Sequence, residues 1–227
     1  MNNANLYSLN SFCGPVLAPF QDSDWDAITQ TMKSGLRLRL KQAWRARPEP
    51  GFAPGWVRLG IHDRHLLLHA TLQDVRPHNE IKSRNQDTLS GGDVLELFLQ
   101  KKDGIDYYEF HLTPENQRLQ LHFPDSRALK SGVPLKTWMV EEDLFESFTR
   151  IHPSLTRWQV FIRVDLVALF GSLPTELRFL VGRYDAQPGI DRPVISSSGS
   201  LSECDFHRIA EWSCCRIIQG RNSNCSR

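Results

Sequence analysis

The fold of this chain is decided by residues 91–99, which read GGDVLELFL, together with residues 108–112, which read YEFHL. Both runs have the composition of β-strands, and a Lys-Asp-Gly turn signal lies between them. One face of the first strand carries leucines at positions 95, 97 and 99, and the other carries Glu96. Glu109 and His111 share one face of the second strand. The sequence predicts a hairpin with one apolar side and one side that mixes carboxylates, a histidine and aromatic rings.

Further short strands are predicted along the chain, with turn signals about every dozen residues. They cover residues 36–40, 57–61, 65–74, 117–123, 135–140, 158–164, 177–184 and 212–218, and Arg150 and Ile151 belong to another. Asp165 is expected to cap a short helix over residues 166–170 that ends at Gly171. The pattern predicts an all-β fold: a two-sheet antiparallel β-sandwich or jelly roll with one or two short helices.

No repeat or shift in composition divides the chain. We expect an irregular N-terminal lead-in over residues 1–24, one sandwich domain over residues 25–218 and a disordered tail over residues 219–227. Residues 75–90 are polar and unpatterned, and a loop of this length inside a compact domain is often functional.

Composition limits the classes of partner. With 27 basic and 26 acidic residues among 227, the net charge of +1 gives no electrostatic case for nucleic acid or an anionic membrane surface. No run approaches the roughly 20 apolar residues of a membrane helix. Residues 1–9 lack the basic charge of a secretory signal, so we expect a cytoplasmic protein, or an extracytoplasmic one if a signal has been removed. The five cysteines form no Cys-x-x-Cys pair, which favours free thiols over zinc ligands.

Several motifs follow one another in an order that is typical of one family. They are Leu72-Gln73-Asp74, Gly92-Asp93-Val94-Leu95-Glu96-Leu97-Phe98, Tyr107-Tyr108-Glu109-Phe110, Thr113-Pro114, Gly182-Arg183-Tyr184-Asp185, and Asp205-Phe206-His207 ahead of Trp212. Over most of residues 20–218 this order resembles a divergent member of the family-nine carbohydrate-binding modules, within the DOMON-like group of sandwiches. The resemblance implies a non-catalytic module that holds the ends of xylan- or cellulose-type glycans, often beside structural calcium.

In such modules two aromatic rings clamp a sugar while carboxylates and amides bind its hydroxyls. The resemblance places the strand-end aspartate at Asp74, the carboxylate within the strand at Glu96, the basic residue of the next strand near His111 and one clamp aromatic near Phe206. The second clamp tryptophan is expected near Ser90, but no aromatic residue lies between positions 75 and 97.

The residue types alone also favour a sugar ligand, because flat rings cover the C–H faces of a pyranose and planar polar groups bind its paired hydroxyls. We include Arg183 among the ligand-binding residues; its alternative role is a buried ion pair with Glu96. No catalytic residue is assigned and no cofactor is required, and the oligomeric state is left open. Two other functions remain: a glycan hydrolase in which Glu96 and Glu109 oppose each other across the hairpin, and an interaction domain that has lost its sugar site.

Overall fold

Two β-sheets pack face to face in the computed structural model of the chain, which describes residues 6–10, 24–187, 189 and 191–218. The seven-stranded sheet has the spatial order β1 (Leu6–Asn10), β12 (Ser213–Ile218), β10 (Glu176–Asp185), β5 (Val94–Lys101), β6 (Tyr107–Leu112) and β7 (Arg118–Phe123), and β11 (Val194–Ser197) also pairs with β10. The five-stranded sheet has the order β2 (Leu36–Leu40), β3 (Gly55–His62), β4 (His65–Gln73), β9 (Arg157–Asp165) and β8 (Phe145–His152). The predicted all-β sandwich is confirmed.

The helices of the described chain are short. They are α1 (Trp25–Thr31), α2 (Leu166–Phe170) and 3-10 turns at Met32–Ser34, Thr88–Ser90, Ala128–Ser131, Leu135–Trp138, Pro153–Leu155 and Ile209–Glu211. The predicted cap of α2 is present, because the Asp165 carboxylate accepts hydrogen bonds from the backbone N–H groups of Val167 and Ala168. Within the described residues, no helix combines the length and the apolar character needed to span a membrane.

Apolar side chains fill the space between the sheets, where Leu95, Leu97 and Leu99 of β5 meet side chains of β3, β4 and β9. A second apolar cluster covers the outer face of the seven-stranded sheet, around Phe98 and Trp212. Both faces of β5 are therefore buried, and the face that carries Glu96 is largely covered by the segment between β11 and β12. The ligand-facing surface expected from the hairpin is therefore a cavity and not an open sheet face.

Two sequence-based expectations are wrong. Residues 1–24 were expected to be irregular, but β1 forms there and runs parallel to β12, with Leu9 buried in the core. Residues 135–140 were expected to form a strand, but Leu135–Trp138 is a 3-10 turn after Pro134. A 3-10 turn places residues three apart on the same side, so Leu135 and Trp138 both pack on the second apolar cluster. Residues 1–5 and 11–23 of the lead-in and the tail from position 219 lie outside the described residues.

Candidate functional site

The cavity on the outer face of the seven-stranded sheet has a volume of about 450 Å³. Glu109 and His111, which point outward from β6, form its floor. Leucine and phenylalanine side chains of β7 and of the 3-10 turns after it form one wall, and the opposite wall contains Phe206 and His207. Leu89, beside the position expected for the second clamp aromatic, also lines the cavity. The result is an apolar cavity with a few converging polar groups, which is typical of small-molecule sites.

The floor is built by the register of the hairpin. His111 lies directly opposite Glu96, whereas Glu109 lies opposite Phe98. The two glutamates are therefore placed diagonally and do not oppose each other, which corrects the arrangement expected for a hydrolase. His111 joins them, because its Nε2 atom lies 2.5 Å from Oε1 of Glu109 and 3.3 Å from Oε1 of Glu96. Its Nδ1 atom bonds to the hydroxyl of Thr88 at 2.7 Å.

Two carboxylate oxygens of this floor have no hydrogen-bond partner among the described residues, namely Oε2 of Glu96 and Oε2 of Glu109. Both residues are buried, at 1% and 4% exposure, and a buried polar atom without a partner is costly. Glu109 lines the cavity, while Glu96 lies beneath it. A ligand hydroxyl that enters the cavity can therefore supply the missing donor to Glu109.

Burial sets the protonation of the floor. It raises the pKa of Glu96 to about 8, an effect that the positive charge of His111 reduces and the negative charge of Glu109 increases. Burial alone would lower the pKa of His111, but the charges of Glu96 and Glu109 outweigh it and the pKa is raised. Near pH 7 the raised pKa of Glu96 favours its protonated form.

His207 forms a second polar wall of the cavity. Its Nδ1 atom lies 2.8 Å from the hydroxyl of Tyr107. Burial raises the pKa of Tyr107, so the phenol keeps its proton and can donate it to Nδ1. In the neutral imidazole the ring proton then resides on Nε2, which lies 4.0 Å from Oε2 of Glu109. His207 belongs to one of the sequence motifs, but sequence reasoning assigned it no role. The reason is that Tyr107 and His207 are 100 positions apart in the sequence, so only the folded structure shows their contact.

Phe206 lines the cavity as expected, but it is packed into the protein rather than exposed as a clamp. The residue is 5% exposed, and its ring makes edge-to-face contacts with Phe98 and Tyr184 at centroid distances of 5.9 and 5.6 Å. It also lies directly over the backbone of Gly182. Phe206 therefore offers only a small apolar surface to a ligand, and Leu89 on another part of the lining offers no ring at all.

The other two predicted site residues, Asp74 and Arg183, lie elsewhere. Alternation along β10 places Gly182 on the outer face beside Glu96 and points Arg183 inward, between the sheets. The Arg183 guanidinium is fully buried and bonds to Asp74 at 3.2 Å, to the carbonyl of Gln73 at 2.7 Å and to the carbonyl of Ala53 at 3.3 Å. We therefore correct their assignment: these two residues join the two sheets and do not line the cavity.

Arg183 belongs to a cluster with the carboxylates of Asp74, Asp93 and Asp185, whose nearest oxygens lie within 4.8 Å of one another. The expected calcium ion would need 6–8 oxygen ligands at this cluster. The guanidinium lies 3.2 Å from Asp74 and 3.1 Å from Asp185, at the position where a cation would have to bind. Both oxygens of Asp93 accept backbone N–H groups, those of His78 and Ala186. The cluster does not fit calcium, and calcium binding by this chain stays a prediction.

A proton on one of its carboxyl groups lowers the net negative charge of this cluster. Burial raises the pKa of Asp93 to about 8, helped by the neighbouring negative charge of Asp74. Burial also raises the pKa of Asp185, to about 6, although Arg183 opposes the shift. Asp93 therefore holds a proton near neutral pH, which reduces the charge buried between the sheets.

The fold that carries the cavity is shared with solved structures of low sequence identity. A protein from Bacteroides uniformis, described as a candidate carbohydrate-binding protein, is 12% identical and has a TM-score of 0.69 over 95% of this chain and 100% of its own. A family-nine carbohydrate-binding module from Caldicellulosiruptor kristjanssonii in complex with cellotriose is 14% identical, with a TM-score of 0.62 over 98% of each chain.

A family-nine module from the same organism in complex with glucose is 12% identical, with a TM-score of 0.60 over 98% of this chain and 100% of its own. No family model matches the chain, and no curated protein matches it in sequence. The resemblance stated from the motifs is thus confirmed at the level of the fold.

Proposed function

We propose that this protein binds carbohydrate, without cleaving it, in the cavity above Glu109 and His111. The observation that carries the proposal is the buried Oε2 atom of Glu109, which has no donor among the described residues and belongs to a side chain that lines the cavity. A pyranose supplies both complements, because its hydroxyls donate to carboxylates and its C–H faces cover apolar walls. The sugar complexes of the two structurally similar family-nine modules support this choice of ligand.

The position of Glu96 argues for binding over hydrolysis. A glycosidase needs two carboxyl groups that both reach the scissile bond, about 5 Å apart or more. Glu96 does not line the cavity, and its carboxyl group and that of Glu109 both contact the same atom of His111. Glu96 therefore supports the floor from beneath and is not placed to act on a bound sugar.

Calorimetry against cello-, xylo- and other neutral oligosaccharides tests the proposal. Glu109→Gln should weaken sugar affinity by about tenfold or more, since hydrogen bonds to charged groups contribute about 1.5–3 kcal/mol. The matched control is Glu146→Gln, because Glu146 is exposed on β8 of the other sheet and pairs with Arg163. Release of reducing ends from the same oligosaccharides would instead support a hydrolase.

If no sugar binds, or if Glu109→Gln binds as tightly as the parent, the cavity is not a carbohydrate site. Such a result would fit the packed ring of Phe206 and the aliphatic Leu89, which offer little surface for stacking on a sugar. It would favour an interaction domain that has lost its sugar site.

A further inference from the structure

A second cavity, of about 370 Å³, adjoins the first. Ile195 and Cys204 line both cavities, so the two share a rim. The remaining lining of the second cavity comes from Trp44, Arg45 and Glu49 on one side and from Arg192 and Pro193 on the other. Two adjoining cavities with a shared rim can hold neighbouring units of one oligosaccharide.

The second cavity is held in shape by a buried side chain. Gln42, which is 5% exposed, donates from Nε2 to the carbonyl of Ile195 at 2.8 Å. Its Oε1 atom accepts the backbone N–H of Glu49 at 2.8 Å. The backbones of Lys41 and Ser197 also pair with each other. These bonds fix the segment that follows β2 against β11, and so they fix both sides of the cavity.

The two cavities differ in charge. The first is lined by Asp87, Glu109 and Asp205, with His111 as its main basic partner. The second is lined by two arginines and one glutamate. Arg45 pairs with Glu49 at 3.2 Å, whereas Arg192 has no carboxylate partner among the described residues. The second cavity thus has an excess of one positive charge, and it is carried by a guanidinium.

The second cavity also contains an aromatic ring. Trp44 is half-buried and packs on the apolar cluster that covers the seven-stranded sheet. An indole face beside an arginine is suited to a sugar unit that bears an anionic group, because the ring covers C–H groups while the guanidinium binds the charge. Of the anionic groups on sugars, a carboxylate has the planar shape that a guanidinium pairs with through two parallel hydrogen bonds.

We infer that the second cavity is a subsite for a uronic acid, so that the preferred ligand is an acidic oligosaccharide with a neutral unit over Glu109 and a carboxylated unit beside Arg192. This inference rests on the proposed function, since it extends the same ligand beyond the first cavity. It names a substrate class that the neutral sugars of the structurally similar modules do not suggest.

The experiment compares two ligands that differ at one carbon. Calorimetry at low salt measures the affinity for a neutral β-1,4-linked glucose trisaccharide and for the trisaccharide in which one terminal unit is oxidised at C6 to glucuronic acid. The acidic trisaccharide should bind about tenfold more tightly, as expected for one added charge-assisted hydrogen-bond pair. The preference should shrink as salt is added, because exposed charges are screened.

Variants separate the two cavities. Arg192→Gln, alone and combined with Arg45→Gln, should remove the preference for the acidic trisaccharide, so that the two ligands bind with equal affinity. Arg47→Gln is the matched control, because Arg47 is exposed and lines neither cavity. Equal binding of the two ligands by the parent protein, or a preference that survives in the double variant, overturns the uronic acid subsite alone. Binding of neither ligand overturns the proposed function as well.

Discussion

The ring of Phe206 rests on Gly182, and a Cβ atom at residue 182 would lie 2.3 Å from Cε2 of that ring. Glycine is therefore required by contact and not by backbone conformation. Gly182→Ala should displace the ring, lower the free energy of unfolding by about 1–3 kcal/mol and reduce sugar affinity, because the wall of the cavity moves. Denaturant unfolding and calorimetry measure the two effects.

Gly199→Ala is the control for this prediction. Its added Cβ would lie 2.6 Å from a methyl group of Leu180, and Gly199 does not line the cavity. It should lose stability while the folded protein keeps its sugar affinity. If Gly182→Ala also keeps full affinity, the wall formed by Phe206 does not contact the ligand.

Arg183 is expected to contribute to the stability of the fold and not to sugar binding. Arg183→Ala leaves the buried carboxylates of Asp74 and Asp185 without their cation, which should lower the free energy of unfolding by about 3–5 kcal/mol. Arg127→Ala, at a side chain that is 89% exposed, should change it by less than about 0.5 kcal/mol. Combining Arg183→Ala with Asp185→Asn should recover part of the loss, and the remaining folded protein should bind sugar normally. Additive losses in the double variant would show that the two residues are not coupled.

Stability should fall as the pH rises from about 5 to 8, which is the reverse of acid denaturation. The pKa values of Glu96 and Asp93 are raised to about 8 in the folded protein, so between their ordinary values and pH 8 the folded state holds protons that the unfolded state releases. The raised pKa of His111 acts in the same direction, because the stability it contributes is lost as the pH rises through its folded value. Each such proton changes the free energy of unfolding by about 1.4 kcal/mol per pH unit.

Glu96→Gln tests whether Glu96 holds one of these protons in the folded protein. A glutamine replaces the protonated carboxyl with a neutral group of similar shape, so the variant should match the parent near pH 4 and exceed it by a margin that grows as the pH rises to about 8. Urea unfolding over this pH range measures the slope. An unchanged slope in Glu96→Gln would mean that Glu96 is ionised at neutral pH and that the proton resides elsewhere.

Cys204 reports on occupancy because it is exposed and lies on the rim shared by both cavities. Alkylation of Cys204 should slow in proportion to the fraction of protein that has sugar bound, since the ligand covers the thiol. Peptide mapping by mass spectrometry measures the rate at this residue separately. Cys214 on β12, which lines neither cavity, should react at the same rate with and without sugar. Equal rates at Cys204 would place the sugar away from the rim.

Much of the fold was predictable because most strands bury one face, and apolar and polar residues therefore alternate along their sequences. Leu36–Leu40 and the strand led by Trp158 follow this rule and were predicted within a few residues. β11 was missed because Val194–Ser197 is short and rich in serine. β1 was missed because its pattern is weak: Leu9 is buried, but Leu6 is exposed. Such strands are held by their neighbours' hydrogen bonds, which no local pattern records.

The site was predicted only in part. Glu96, His111 and Phe206 do lie together, since the first two share one hairpin whose register follows from its short turn. Asp74 and Arg183 were grouped with them wrongly, because which face of β10 meets Glu96 depends on the pairing of β10 with β5. That pairing joins strands some 80 residues apart, and a shift of one residue would exchange the faces.

The bond between Thr88 and His111 has a consequence for how this protein can diversify. It ties the end of a long connecting segment to the base of the cavity, while the next residue, Leu89, projects from that fixed point into the lining. A change at residue 89 therefore alters the shape offered to a ligand and leaves the hydrogen bonds beneath it intact. Evolution can therefore change which ligand the cavity recognises through substitutions at residue 89, while the buried hydrogen bonds of Thr88 and His111 stay the same.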